Sequence, residues 1–379
     1  MRFLLRRVFG QIVRSGKLTV IDWDGKSWSV GEEGPGPLIL RFHDRYVALD
    51  LLRNPQLAFG EAYMDGRLTV QGGSIANVLE LFARNLGTSA GGGYLAWIAK
   101  LRFLLRRAMQ RNGFSQARSN VAHHYDLSGR LYDLFLDEDK QYSCAFFEKP
   151  TDTLEDAQLA KKRRIASKLA LRPGQRVLDI GSGWGGLALH LARTAQADVT
   201  GITLSEEQLA ASTARAGEAD LSERVRFRLQ DYRAVPETFD RIVSVGMFEH
   251  VGVGNYATFF ARISSLLEDD GVALIHSIGR SDGPGVTNPW IAKYIFPGGY
   301  TPALSEVLPA VERAGLIVTD VEVWRLHYAQ TLAEWRRRFT MNWEHARRLY
   351  GERFCRMWEF YLAGAEMGFR HQGLMVFQL

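Results

Sequence analysis

Hydrophobic and polar positions follow one rhythm early in this chain and another later. Near the start, Leu5, Val8, Phe9 and Ile12 recur at helical spacing, with Arg2, Arg6, Arg7 and Arg14 between them, so Met1–Lys17 reads as a basic amphipathic helix. Short strand-like pieces follow at Leu18–Asp22, Ser27–Val30, Leu38–Phe42 and Tyr46–Leu49. Asp24-Gly25 and Gly34-Pro35-Gly36-Pro37 supply turn signals between them. Gly87–Gly93 is a flexible break. Tyr94–Arg111 then sets Leu95, Trp97, Ile98, Leu101, Leu104, Leu105 and Met109 against Lys100, Arg102, Arg106, Arg107 and Arg111, a second basic amphipathic helix. From about residue 155 the pattern changes to alternating strands and helices, as in a mainly parallel α/β sheet. Strands are predicted at 176–180, 198–203, 225–229, 240–245, 272–278 and near 316–325. Helices are predicted at 155–170, 185–195, 205–219, 255–267, 303–314 and near 331–349.

One junction in the second region carries chemistry. Val177–Ile180 is an apolar strand that enters Gly181-Ser-Gly-Trp-Gly-Gly186 and then a helix from Leu187. Glycines there let the backbone bend tightly and approach a ligand where a side chain would collide. A dinucleotide site expects an acid at the end of the second strand to hold ribose hydroxyls. Here that strand, from Asp198, ends on Thr203, Leu204 and Ser205, and the first acid, Glu206, belongs to the next helix. The missing acid points away from a nicotinamide cofactor and toward S-adenosylmethionine. Asp179 could orient the loop or meet the ligand's amino group.

Charge separates the two regions further. Residues 1–120 hold 17 Lys and Arg against 9 Asp and Glu, while the remainder hold 30 against 33. The whole basic excess therefore lies in the first third, which suits an anionic partner, a membrane surface or nucleic acid. No apolar run is long enough to span a membrane and no signal peptide is evident. Cys144 and Cys355 are the only cysteines, so no disulfide framework is implied and a reducing compartment is expected.

Four segments besides the glycine loop stand out: Gln141-Tyr-Ser-Cys-Ala-Phe-Phe147, Met247-Phe-Glu-His-Val-Gly252, Leu274-Ile-His-Ser-Ile-Gly279 and His327-Tyr-Ala-Gln-Thr-Leu332. Ligands of open parallel sheets bind outside the carboxyl ends of the strands, which is where Glu249 and His276 fall. Each residue also has a structural alternative. Cys144 could be a small core residue, Glu249 a helix cap, His276 a satisfied core histidine and Tyr328 plain packing.

Together these segments resemble the cyclopropane-fatty-acid synthases, including those that act on mycolic acids. The matching pieces are HYDLSGRLYDLFLD (124–137), QYSCAFF (141–147), RVLDIGSGWGG (176–186), GITLSEEQ (201–208), LQDYR (229–233), FDRIVSVGMFEHVG (239–252), HSIG (276–279), PWIAKYIFPGG (289–299) and HYAQTL (327–332), in family order. GEAYMDG (60–66) resembles the lipid-binding domain of the phospholipid-modifying members. The resemblance implies a Rossmann-like class I methyltransferase domain at 116–379 and a smaller N-terminal α+β lipid-binding domain at 1–115. Ser182 departs from the cysteine that many members carry between the glycines.

The implied activity is transfer of the methyl of S-adenosylmethionine to the double bond of an unsaturated phospholipid acyl chain, closing a cyclopropane. Bicarbonate serves as the base in such enzymes. Its ligands fall on Cys144, Glu249, His276, Ile278 (through its backbone) and Tyr328. Cofactor contacts fall on Tyr142, Ser143, Asp179, Gly181, Gly183, Thr203, Leu204, Gln208, Asp231 and Tyr232, with no metal. Phe146, Phe147, Tyr294 and Phe296 are candidates to stabilise passing positive charge. A fatty-acid C-methyltransferase yielding a methyl, methylene or furan-precursor chain shares this early chemistry and stays open. A nucleic-acid methyltransferase is disfavoured, because MFEHVG stands where a proline-flanked amino-methylating tetrapeptide would be, and no zinc-ligand pattern occurs. A non-catalytic relic is disfavoured by the five retained ligand residues. The resemblance also implies a cytoplasmic protein held peripherally at the inner membrane face, and a possible homodimer.

Overall fold

The computed structural model describes residues 1–32, 38–86 and 129–379. The expected turn at Gly34–Pro37, the break at Gly87–Gly93, the helix at Tyr94–Arg111 and the boundary between residues 115 and 116 lie outside the described residues. The chain forms two compact units. One gathers the described residues up to Leu86 with Asn288–Ile295 and Leu332–Gly373; the other holds the described residues from Gly129 to Thr287 with Phe296–Thr331 and Leu374–Leu379.

In the first unit, helix α1 (Arg2–Ile12) precedes strands β1 (Lys17–Ile21), β2 (Ser27–Gly31) and β3 (Leu38–Phe42). Helices α2 (Tyr46–Arg53) and α3 (Pro55–Met64), strand β4 (Leu68–Gln71) and helix α4 (Ile75–Leu86) follow. The sheet runs β2-β1-β3-β4 and is antiparallel except between β1 and β3. Tyr46–Leu49, expected as a strand, is the start of α2. The Asp44 carboxylate accepts from the amides of Tyr46 (2.7 Å) and Val47 (3.1 Å), and Val47, Ala48 and Leu51 are buried on one helical face. In α1, Leu5 and Phe9 enter the core while Phe3 and Leu4 stay exposed at 75% and 52%. Gly60 is a glycine for a packing reason: a Cβ there would lie 2.4 Å from the Trp290 indole nitrogen.

The second unit opens with a short turn of helix, α5 (Gly129–Tyr132). Helix α6 (Leu154–Leu169) begins at a capping box between Thr153 and Asp156. Then come β5 (Arg176–Ile180), α7 (Gly186–Ala195), β6 (Asp198–Thr203), α8 (Glu206–Glu218) and β7 (Val225–Leu229). These are followed by β8 (Phe239–Val245), α9 (Tyr256–Leu266) and β9 (Leu267–Arg280). The chain continues through α10 (Pro289–Tyr294), α11 (Leu304–Arg313), β10 (Glu322–Trp324), α12 (His327–Met341), α13 (Trp343–Tyr350), α14 (Glu352–His371) and β11 (Leu374–Gln378).

The seven-stranded sheet runs β10-β11-β9-β8-β5-β6-β7. The five strands from β5 to β9 are parallel, and β11 pairs antiparallel with both β9 and β10. Chain order reverses between β5 and β8, so a crevice opens beyond their carboxyl ends. The strand expected near 316–325 shrinks to three residues, and the helix expected near 331–349 divides at Asn342. Strand β11 is buried along four of its five residues, which removes the alternation that marks a half-buried strand.

Candidate functional site

The glycine turn after β5 is held by its neighbour strand. The amides of Gly181 and Ser182 both donate to the Ile202 carbonyl at 3.0 Å. Gly181, Gly183 and Gly185 take φ of +82°, +54° and +82°, the left-handed region that favours glycine. They differ in what surrounds them. A Cβ on Gly185 would come within 2.7 Å of the Phe227 ring, and one on Gly181 within 3.0 Å of Met247, whereas one on Gly183 meets nothing within 4 Å among the described residues. Gly183 therefore faces open space, at the amino end of α7, where unpaired amides favour polar and anionic groups. Ser182 is buried, with its hydroxyl toward the Ile202 carbonyl at 3.4 Å, so a small polar residue fits there.

The cleft at this turn is lined by all ten expected cofactor contacts: Tyr142, Ser143, Asp179, Gly181, Gly183, Thr203, Leu204, Gln208, Asp231 and Tyr232. Several are held in place by their own partners. Thr203 Oγ1 donates to Gln208 Oε1 at 2.8 Å, and the Asp231 carboxylate takes the guanidinium and amide of Arg233. Asp179 differs: it is buried, its Oδ2 has no partner among the described residues, and desolvation raises its pKa to about 7. Sequence reasoning did not single out Lys161, Trp184, His250 or Asn255, which also line the cleft. Lys161 is the one whose pattern showed it, since it follows Leu154, Ala157 and Gln158 on the buried face of α6.

The five expected bicarbonate ligands are not among the residues lining this cleft. They lie on and beside the neighbouring strands. Glu249 sits in a short 3₁₀ turn, Phe248–His250, just after β8. Its Oε1 accepts from the Ile278 amide at 2.7 Å, its Oε2 is enclosed without a partner among the described residues, and desolvation raises its pKa to about 7. His276, on β9, is 2% exposed; its Nδ1 meets Gln378 Nε2 at 3.1 Å and burial lowers its pKa to about 3, so the ring is neutral. Cys144 is buried, points its thiol at the Ala145 carbonyl at 3.3 Å, and desolvation raises its pKa. It is therefore a thiol, not a nucleophilic thiolate. Tyr328 is buried in the first turn of α12. Two bonds tie that helix to the cysteine segment: Ala145 N to Thr331 Oγ1 (3.0 Å) and Phe147 N to His327 Nδ1 (3.1 Å). Trp324 bridges the rest, its ring 5.1 Å from His276 and 4.8 Å from Phe146. Phe296 lies 6.0 Å from the His250 ring, while Tyr294 falls in the other unit, donating to Glu61 at 2.7 Å.

Known proteins similar to this chain identify its family. Residues 113–379 match the family model of the mycolic acid cyclopropane synthetases. The chain belongs to this family. Residues 4–90 match a domain of unknown function. The chain is 36% identical to the cyclopropane-fatty-acyl-phospholipid synthase of Escherichia coli, over 91% of this chain and 88% of that one. It is 34% identical to a probable fatty acid methyltransferase of Pseudomonas putida, over 94% and 89%. A structure of a mycolic acid cyclopropane synthase complexed with SAH and CTAB is similar with a TM-score of 0.66 and 34% identity, covering 69% of this chain and 96% of that one. The protein is an S-adenosylmethionine-dependent methyltransferase of the cyclopropane-fatty-acyl-phospholipid synthase type.

Proposed function

We propose that the protein modifies the double bond of an unsaturated acyl chain in membrane phospholipid and closes a cyclopropane, with bicarbonate as the base. Glu249 carries this reading. Ring closure releases a proton from a buried site, and water there would trap a carbon cation. A carboxyl with one oxygen pinned by the Ile278 amide and the other unpartnered is able to accept and pass that proton at Oε2. S-adenosylmethionine, when bound, supplies the electrophilic methyl group. The residues of the chain fit both groups. Open space at Gly183 and the orphan Asp179 Oδ2 suit a zwitterionic cofactor, and the orphan Glu249 Oε2 suits the O–H of bicarbonate. Cys144, His276 and Tyr328 would hold that ion with thiol, imidazole and phenol. Ile278 would contribute through its backbone, whose amide donates to Glu249 Oε1 at 2.7 Å.

The methyltransferase reading keeps the support of the Pseudomonas putida relative. Lipids from a host expressing the chain decide between them by NMR. Cyclopropane ring protons support ring closure; a methyl or methylene branch in their place sinks it.

We propose in addition that α1 docks on an anionic membrane from the cytoplasmic side. Among the described residues no helix is long and apolar enough to cross a membrane. Phe3 and Leu4 are exposed beside exposed Arg6 and Arg7, an apolar and cationic face suited to a lipid interface. Arg2 is not free for this, since it pairs with Asp22 and Asp24. The double variant Arg6→Gln, Arg7→Gln should bind anionic vesicles about thirtyfold more weakly at low salt, at about 1 kcal/mol per charge, and the difference should fade as salt rises. Vesicle pelleting equal to the parent's at low salt would rule out α1 as the docking element.

A further inference from the structure

Lys161 is a buried cation in the cofactor cleft whose charge has no close counterpart among the described residues. It is 1% exposed and lines the cleft. Its Nζ donates to Gln141 Oε1 at 2.9 Å and to Ser143 Oγ at 2.6 Å, both neutral oxygens. Among the described residues no carboxylate oxygen comes within 4 Å of it, although Asp137, Asp139 and Asp179 act on it from farther away. Taking an ammonium out of water is costly unless an anion accompanies it, and desolvation correspondingly lowers this group's pKa to about 8.

The hydrogen bonds also have a direction. An ammonium can only donate, so Ser143 Oγ is the acceptor and its own hydrogen must point elsewhere. Ser143 lines the same cleft. The Ser143 carbonyl is fixed by Gln158 Nε2 at 3.0 Å, so the residue has little freedom to turn away. An anion arriving in the cleft would meet a hydroxyl aimed at it and an unmatched positive charge behind.

We propose that Lys161 is a positioning residue that turns the Ser143 hydroxyl toward the cleft and serves as counter-ion for the carboxylate of the cofactor's methionine portion. Asp179, with its unpartnered Oδ2, then takes the amino group of the same zwitterion. The inference rests on the S-adenosylmethionine reading of the cleft. It accounts for recognition of the cofactor's amino-acid end by charges of opposite sign.

Calorimetry on the whole chain with two ligands separates this from a structural role. S-adenosylhomocysteine carries the amino-acid portion; 5′-methylthioadenosine lacks it. Lys161→Met should weaken the first by about tenfold or more and the second by less than about twofold, as expected for loss of a charge-assisted contact. Ser143→Ala should shift the ratio in the same direction, and the double variant should lose no more than the larger single loss, because the two act as one unit. If Lys161→Met does not fold, Lys161→Gln is read by the same ratio. Equal losses for both ligands, unchanged S-adenosylhomocysteine affinity, or additive losses overturn the proposal. A variant that keeps its S-adenosylhomocysteine affinity and loses only its response to bicarbonate places the anion elsewhere and also overturns it. Parent protein that binds neither ligand overturns the cofactor reading itself, a distinguishable failure.

Discussion

Asp179 and Glu249 sit at the carboxyl ends of adjacent parallel strands, and the two resemble each other closely. Asp179 is buried and Glu249 half-buried, each has one enclosed oxygen without a partner among the described residues, and desolvation raises each pKa to about 7. Their surroundings differ. Asp179 stands in a cleft formed by glycine backbone, with Lys161 as a nearby source of positive charge. Glu249 receives a backbone amide from β9, and its cleft neighbours are Met247 and His250 rather than the carboxyl itself. The same electrostatic strain therefore serves two ends. On the glycine side it awaits the charge of a ligand; on the β9 side it keeps a proton exchangeable near neutral pH.

The two carboxyls should therefore fail in opposite ways. The largest effect is expected for Glu249→Gln: turnover should fall by about 10²–10⁴ while S-adenosylhomocysteine affinity in calorimetry stays within about twofold. Equal loss of binding would collapse the distinction. Asp179→Asn should do the reverse, weakening the cofactor about tenfold through loss of a charge-assisted bond. Gly183 and Gly185 sharpen the glycine side. Gly183→Val has room in the protein and should abolish cofactor binding, with thermal unfolding shifted only by the strain of its positive φ. Gly185→Val collides with Phe227 and Ser212 and should lower stability as well, by about 2–4 kcal/mol. Similar melting temperatures for the two would contradict the packing described.

The smallest expected effect is on stability against pH. The folded carboxyl of Glu249 titrates near 7, above its ordinary value of 4.5, so between these pH values the folded state holds a proton that the unfolded state has released. Stability accordingly falls as pH rises through that window and levels off above 7. Glu249→Gln removes the titration, so its unfolding free energy should vary less from pH 5 to 8 and exceed the parent's at pH 8 by about 1–3 kcal/mol. A parent and variant with parallel pH profiles would show that Glu249 is not strained.

Much of the cofactor side was legible because its signal is local. Strand, glycine turn and helix are contiguous, and the contacts beyond β6 follow within a few residues. On the other side, strand position alone pointed to Glu249 and His276, and the full ligand set came only through resemblance, since β8, β9 and α12 bring its parts together from distant stretches. Lys161 was hidden in Lys161-Lys-Arg-Arg164, a run that reads as a solvated helix face, although its spacing from Leu154 and Ala157 puts it on the buried one. Tyr46–Leu49 misled because aromatic and β-branched residues in a short piece suit a strand equally well, and Asp44 decides for a helix. Grouping of 288–295 and 332–373 with the N-terminal unit leaves no mark in composition, since it depends on pairings remote in sequence.

Strand β11 has a consequence for how the protein is made. It lies between β9 and β10, and Gln378 within it meets His276. A ribosome delivers β9 long before it delivers Leu374–Gln378, and all of Leu332–Gly373 emerges in between. Throughout that interval the flank of β9 is an unpaired edge, open to wrong partners. The nascent sheet can be closed only after that delay, so slowing synthesis between residues 280 and 374 should lower the yield of soluble protein more than slowing it before residue 176.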